Sequence, residues 1–351
     1  MADPFGFAIV GCGSIARTHL RALAEIPDAP IKALIGRTTE APARLAAEME
    51  LSNVSVHDNL AAALQRPDVN AVIVCTPSGN HLEHALQAAR AGKHVMVEKP
   101  LEVTPQRCDQ IIEACDRAGV KLGAIFPSRF GDANMALKAA VDAGRFGKIA
   151  LGECTCKWWR DQAYYDSGSW RGTWLLDGGG ALMNQAIHSV DQLLWLMGPA
   201  TLVTAAAATL THERIEVEDT AVATVRFACG ALGTIIATTS AYPGSAATIA
   251  VHGDRGSARA AQDEFTAWQF ADAKPEDAAI QERLVKTATK IGTATDPKAI
   301  SHVGHARQLR DFVDAIHHDR LPSVDGHEGR KAVELICAIY EAARTGQAVP
   351  L

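Results

Sequence analysis

The chain has 351 residues, 48% hydrophobic and 21% charged, with a formal net charge of −6. That length exceeds the roughly 250 residues of a single core, so two domains are expected, and the acidic balance leaves no electrostatic footprint for nucleic acid. Apolar runs break well before the roughly 18 residues of a membrane span, and the opening MADPFGFAIVGCG has no leader pattern, so the expectation is a cytoplasmic protein with no membrane partner.

Residues 5–10 read as an apolar strand that turns through Gly11-Cys12-Gly13-Ser14-Ile15-Ala16 into a helix ending near residue 25. A GxGxxA string alone is weak, but between a first strand and a first helix it marks a dinucleotide turn. Gly11 permits the bend, Gly13 lets backbone approach a pyrophosphate, Ala16 lets helix and strand pack closely, and the helix N-terminus offers amides to the anion. Further strands are expected at 31–35, 54–56, 71–75, 95–97 and 121–125, with helices at 41–49, 81–91 and 105–118. This alternation predicts a doubly wound parallel sheet over residues 1–125.

The second strand ends in Gly36-Arg37-Thr38-Thr39, with no carboxylate for the two ribose hydroxyls of NAD(H). Arg37 and Thr38 suit a 2′-phosphate, which favours NADP(H) over NAD(H); the alternative is that Arg37 stacks on the adenine ring with either dinucleotide. After the fourth strand, Thr76, Pro77, Asn80 and His81 stand where open α/β sheets bind ligands, although His81 also reads as a helix-start residue. Glu98-Lys99-Pro100 ends the fifth strand. The proline keeps Lys99 out of helical geometry and permits a cis peptide, which aims an ammonium at the cofactor site.

From Ile149 the pattern changes to alternating Thr- and Val-rich runs at 149–159, 201–210, 219–228, 231–239, 246–252 and 256–261. These predict a substrate-binding and oligomerisation α/β domain, 126–351, on a large, mostly antiparallel open sheet. A bare face of such a sheet would expose a large apolar surface, so a homodimer or homotetramer through it is expected. Residues 158–174 gather Trp158, Trp159, Tyr164, Tyr165, Trp170 and Trp174 with Arg160 and Arg171. Aromatic faces and guanidinium forks bind sugar rings, so Trp159, Tyr165, Trp170, Arg171 and the earlier Arg129 are candidate substrate residues; the alternative is a packed structural loop or a dimer contact.

Asp177 and Gly178 to Gly180 are expected to cap a helix from about residue 181. On a 100° wheel its Asn184, His188, Asp191 and Trp195 share one sector opposite an apolar back. Asn184 and His188 would bracket a substrate hydroxyl, with His188 as general acid/base because imidazole titrates near neutrality, and Asp191 as an orienting or structural group. A polar excursion at 271–304 with one helix precedes helices at 305–316 and 329–345, and no spacing argument brings His302 or His305 to the site. The eight cysteines show no Cys-x-x-Cys pair, and Cys154-x-Cys156 lacks further ligands at useful spacing, so buried free thiols and no metal are expected.

GCGSIA, TPSGNH, the EKP tripeptide, GGGALMNQAIHSVD and the closing Asp325-Gly326-x-Glu328-Gly329 together resemble the glucose-fructose oxidoreductase / inositol dehydrogenase / MocA (Gfo/Idh/MocA) family over nearly the whole chain. The resemblance implies hydride exchange at a nicotinamide, with proton transfer by the EKP lysine and the helix histidine, here Lys99 and His188. Many members have Asp four residues before that histidine. Asn184 hydrogen-bonds a hydroxyl but accepts no proton as a carboxylate, which shifts the load to Lys99 and His188. The reading is an oxidoreductase that interconverts a secondary alcohol and ketone on a cyclic polyol, sugar or sugar derivative. The alternatives are a reductase of a non-sugar carbonyl and a non-catalytic NADP-binding sensor.

Overall fold

A computed structural model describes residues 5–284 and 301–351; the expected excursion at 271–304 therefore falls partly outside the described residues. The chain divides into two compact units. In the first, β1 (Phe7–Val10), β2 (Ile31–Ile35), β3 (Ser55–His57), β4 (Ala71–Val74), β5 (His94–Val97) and β6 (Leu122–Ala124) form an all-parallel sheet in the order β3-β2-β1-β4-β5-β6. The runs FAIV and AVIV are buried throughout because both faces of a parallel sheet are covered. The strand order reverses between β1 and β4, which sets the ligand crevice at their carboxyl ends. Helices α1 (Ser14–Ala24), α2 (Glu40–Glu48), α3 (Leu60–Leu64), α4 (His81–Arg90) and α5 (Pro105–Ala118) connect the strands. The start of α5 shows why sequence locates such elements well: Thr104 caps the Arg107 amide at 3.3 Å, Pro105 opens the helix, and Gly119 closes it at φ 65°.

The first unit comprises the described residues 5–127, close to the boundary expected after residue 125, together with the described residues 301–333. The cause is burial. In the later helix Val303–His317, Ala306, Leu309, Phe312 and Val313 join Leu20 and Leu23 of α1 and Ile9, Ile73 and Met96 of the sheet in one core.

The second unit, described over 128–284 and 334–351, contains an eight-stranded sheet. Its strands are β7 (Ile149–Lys157), β8 (Ala200–Ala208), β9 (Thr220–Phe227), β10 (Leu232–Thr238), β11 (Thr248–Gly253), β12 (Gly256–Ala261), β13 (Glu264–Phe270) and β14 (Val349–Pro350), in the order β13-β12-β11-β7-β10-β9-β8-β14. Only β7 and β10 run parallel among these neighbours in the described residues. On β9, Ala221, Ala223, Val225 and Phe227 point inward while Val222, Thr224 and Arg226 point out, the period of two that its sequence carries. Elsewhere lie α6 (Asp132–Asp142), α7 (Gln162–Asp166), α8 (Ile187–Met197), α9 (Pro275–Leu284) and α10 (Val303–His317), the last in the first unit; α11 (Gly326–Thr345) runs from residues of the first unit into those of the second.

Candidate functional site

The dinucleotide turn is built on two glycines with opposite constraints. Gly11 has φ +96°, and a Cβ there would meet the Cys75 carbonyl and the Thr76 nitrogen at 2.6–2.7 Å, so the bend needs glycine. At Gly13 a Cβ would meet nothing within 4 Å. It precedes α1, which has no side-chain cap and no acid in its first turn, while Ala16 is fully buried against the sheet. Open space beside uncapped amides, running through Ser14 and Ile15, fits a pyrophosphate. At the end of β2, a Cβ on Gly36 would meet Pro42 and the Thr38 carbonyl oxygen at 2.8 Å, so this turn has no room for the ribose-binding acid. Arg37 and Thr38 are exposed, and the Thr38 side chain bonds the Glu40 carboxylate.

Beyond β4, Thr76, Pro77 and Asn80 are half-buried around a short 3-10 turn (Ser78–Asn80), with the Thr76 hydroxyl donating to the Asn80 carbonyl at 3.4 Å. His81 differs from this group. It is buried, with Nδ1 2.9 Å from the Pro100 carbonyl oxygen and Nε2 3.0 Å from that of Thr76, and burial pushes its pKa down. Its ring thus ties this turn to the EKP segment.

Lys99 is half-buried between buried neighbours, and its peptide to Pro100 is cis. Glu98 turns inward and is buried. One carboxylate oxygen lies 2.7 Å from His19 Nε2 and the other accepts the Lys99 amide at 3.0 Å. Burial raises the Glu98 pKa, but His19 and the positive neighbours outweigh it and take the carboxyl down to about 2. His305 stands 4.0 Å from the same carboxylate, its pKa pushed down to about 4 by burial and by His19. His19, Glu98 and His305 therefore form a group whose donor atoms lie within 4.8 Å, a cluster that sequence spacing did not reveal. A His–carboxylate distance of 2.7 Å is a hydrogen bond, and Nδ1 of His19 lacks the acceptor that a metal-ligating imidazole ordinarily has. We read the cluster as the support of Lys99.

In the second unit the segment that carries Asn184 and His188 does not begin as the plain α-helix that the wheel assumed. Ala181–Ala186 is a π-turn that continues into α8. Along the described stretch 177–197, every residue is buried except Asn184, His188 and Trp195, three of the four members of the polar sector expected from sequence; the fourth, Asp191, is buried. The expected cap, Asp177, has another task. Buried, it accepts from the Gly172 amide at 2.9 Å and binds the Asn184 side-chain nitrogen, so it aims Asn184 rather than capping the helix. Gln185 donates to the Asn184 oxygen at 2.9 Å and to the Tyr164 hydroxyl at 2.8 Å.

The true cap is Glu218, which sequence reading missed because it lies 36 residues downstream of Leu182. Its carboxylate accepts from the amides of Gly180 (2.9 Å) and Leu182 (2.7 Å) and the hydroxyl of Tyr340 (3.1 Å); its own carbonyl accepts from Ala181 (3.1 Å), and the Tyr340 hydroxyl accepts from Met183 (3.3 Å).

Of the other substrate candidates, Arg129 is buried and held bidentately by Asp191 at 2.8 and 2.6 Å, since a buried guanidinium requires a carboxylate. Its fork serves the helix that carries His188 rather than a substrate. Tyr165 is also buried, its hydroxyl 2.9 Å from that of Thr239. Trp159 is half-buried, edge-on to Tyr242 at 5.5 Å. Half-buried Arg171 sits over Tyr164 (4.3 Å) and half-buried Trp170 (4.5 Å), donates to the Tyr164 hydroxyl at 2.6 Å, and has no carboxylate partner among the described residues. Cys154 and Cys156 are buried on β7, where burial pushes the Cys154 thiol well up.

A parallel 3-2-1-4-5-6 sheet with a glycine turn and a supported lysine, and a second, mostly antiparallel unit offering Asn184 and His188 from a buried helix, define a dinucleotide-dependent oxidoreductase. Residues 5–126 match the model of the oxidoreductase family with an NAD-binding Rossmann fold, and 134–259 match the GFO/IDH/MocA C-terminal domain. The chain belongs to the Gfo/Idh/MocA family. It is 34% identical to the WlbA dehydrogenase of Bordetella pertussis, solved with NADH and UDP-GlcNAcA, covering 100% of this chain and 98% of that one at a TM-score of 0.88. The WlbA dehydrogenase of Chromobacterium violaceum, solved with the same two ligands, is also 34% identical, covering 100% and 97% at 0.89. Myo-inositol 2-dehydrogenase of Thermotoga maritima is 28% identical over 98% of this chain and 97% of its own. No helix among the described residues is long and apolar enough to cross a membrane.

Proposed function

We propose that this dehydrogenase acts on a nucleotide-linked sugar acid, interconverting a ring hydroxyl and a ketone. The observation that carries the substrate class is the full-length likeness, at 34% identity, to two dehydrogenases solved with UDP-GlcNAcA. Arg171 supports it: a guanidinium stacked on two rings and lacking a carboxylate partner among the described residues suits an anionic ligand, and Trp159 and Trp170 offer faces to a sugar ring.

A dinucleotide held here would supply the hydride chemistry that interconverts carbinol and ketone. Gly11, Gly13, Ser14, Ile15 and Ala16 hold its pyrophosphate, and Thr76, Pro77 and Asn80 line its ribose and nicotinamide side. His188 takes the hydroxyl proton, Lys99 steadies the oxygen and relays charge, and Asn184 orients the substrate by hydrogen bonding, since an amide is no base. For the dinucleotide we infer a preference for NADP(H), on the strength of exposed Arg37 and the absence of room for an acid at Gly36. The two WlbA dehydrogenases were solved with NADH, so this preference rests on residues 36–38 of this chain alone. We also infer that the protein is cytoplasmic and self-associates through the outer face of the eight-stranded sheet.

The test is reduced-nicotinamide absorbance with NADP and NAD against UDP-GlcNAcA, UDP-GlcNAc, myo-inositol and free sugars. Turnover is expected with UDP-GlcNAcA, to be weak with UDP-GlcNAc, and to vanish in Lys99→Ala and His188→Ala. Arg171→Ala is expected to raise the KM for the acid more than for the neutral sugar. Turnover confined to myo-inositol would replace the substrate class, and tight dinucleotide binding with no turnover on any substrate would replace the enzyme by a sensor. A kcat/KM ratio favouring NAD, unmoved by Arg37→Ala, would overturn the NADP preference.

A further inference from the structure

We propose that Glu218, together with Tyr340, is a positioning residue for the reaction: it holds the π-turn that carries Asn184 and leads into His188. The inference rests on the reading of Asn184 and His188 as the groups that handle substrate.

A helix leaves its first amides without intrahelical partners, and a buried start requires acceptors from elsewhere. Here the amides of Gly180, Ala181 and Leu182 all end on Glu218, through two carboxylate bonds and its carbonyl, and that of Met183 ends on the Tyr340 hydroxyl. Asn184 is the first residue to return to the turn itself, its amide donating to the Gly180 carbonyl at 3.0 Å. The backbone that places Asn184 is therefore fastened two residues before it to the Glu218 carboxylate, in the loop that leads into β9, and one residue before it to the Tyr340 hydroxyl. The approach is close enough that a Cβ on Gly180 would lie 1.7 Å from the Glu218 carbonyl oxygen, which accounts for the last glycine of the triplet.

A π-turn is a rare alternative to an α-turn, and here its first amides take their acceptors from Glu218 and Tyr340. A carboxylate offers acceptors to two amides at once. A carboxylic acid or a carboxamide offers one acceptor and sets a donor against the other amide. The titratable groups that interact with Glu218 are Tyr340 from α11 and Tyr165 from α7. Burial raises the Glu218 pKa to about 7, while the two amides and Tyr340 pull it down. The clamp thus loosens as pH falls through neutrality, and loss of the Tyr340 hydroxyl moves that point upward.

The experiment compares Glu218→Gln, Tyr340→Phe, Asn184→Ala and His188→Ala with the parent by kcat, KM for dinucleotide and substrate, kcat–pH profile and thermal melting at pH 8. Expected are a kcat at least tenfold lower in Glu218→Gln with an unchanged dinucleotide KM, loss of one acid-side inflection from its profile, and a melting temperature no lower than the parent's, because an ionised buried carboxylate has been removed. In Tyr340→Phe the acid-side inflection should move to higher pH. A parent-like kcat and profile in Glu218→Gln, with Asn184→Ala and His188→Ala inactive, overturns the positioning role alone. A kcat loss matched by a lower melting temperature, with the pH profile intact, leaves a merely structural cap and overturns it too. Full activity in Asn184→Ala and His188→Ala overturns the site reading and this inference with it.

Discussion

Gly13 and Gly180 are the same residue kept for opposite reasons, and substitution should separate them. At Gly13 a Cβ has open space, so Gly13→Ala is expected to change folding stability by no more than about 0.5 kcal/mol while weakening dinucleotide binding at least tenfold, about 1.4 kcal/mol, because the methyl stands where the pyrophosphate approaches. Fluorescence titration and urea unfolding read the two effects. At Gly180 the obstacle is backbone, so Gly180→Ala should lose about 3 kcal/mol and most of its activity with dinucleotide affinity intact. His19 makes a different residue-scale case. In the parent, Glu98 contributes stability that is present above its ordinary pKa and is lost only as pH falls through about 2. In His19→Leu, burial dominates and the carboxyl pKa rises above its ordinary value, so the variant should be about 3 kcal/mol less stable at pH 8 and by a smaller margin at pH 5, where Glu98 protonates. Urea unfolding at the two pH values checks this; a deficit that grows on acidification would overturn the assigned role of Glu98.

At the scale of elements, sequence was most informative where a single signal decides. The apolar runs and glycine ends of β1, β2, β4, α4 and α5 were legible within a residue or two, as was the alternation of β7 to β12, because period and caps are local. Helix α6, the short helix α7, strand β13 and the edge strand β14 escaped, since each rests on partners elsewhere: the amides at the start of α6 are held by Asp263, and β14 pairs only with β8. The π-turn was illegible for the same reason, because a 100° wheel contains no term for Glu218. The return of α10 to the first unit was hidden as well, since an amphipathic helix does not announce which core it enters. Phe312 tests that assignment. It is fully buried, and a Cβ on Gly123 would meet its ring at 3.1 Å, so Phe312→Ala should cost about 3–5 kcal/mol. Its loss should appear in the unfolding of the dinucleotide-binding unit, followed by whether bound dinucleotide delays the transition; equal dinucleotide protection in parent and variant would place the helix elsewhere.

For the whole molecule, the outer face of the eight-stranded sheet decides whether one chain suffices. The strand register sets Ala206, Val222, Ile236, Thr155 and Thr248 in one outward row and Thr204, Thr224, Thr234 and Glu153 in the next. Val222 is 48% exposed and Leu232 56%. Threonines bond one another along the face, Thr204 to Thr224 at 2.6 Å and Thr155 to Thr248 at 2.8 Å, which satisfies their hydroxyls within the sheet. An antiparallel sheet that faces water ordinarily alternates apolar in and charged out, and here the outward rows carry β-branched side chains with few charges, as expected of a face that meets a second copy of itself. The alternation was readable from sequence, but the rows were not, because register joins residues some 90 positions apart. Light scattering at micromolar concentration should therefore give a dimer or tetramer. Val222→Glu with Thr224→Glu, which set like charges against their symmetry copies on exposed positions, should shift the population to monomer while leaving the circular dichroism spectrum unchanged. A parent that is monomeric under these conditions, or a double variant that keeps the parent's mass, would mean that the face is held by neither a second copy nor its threonine rows.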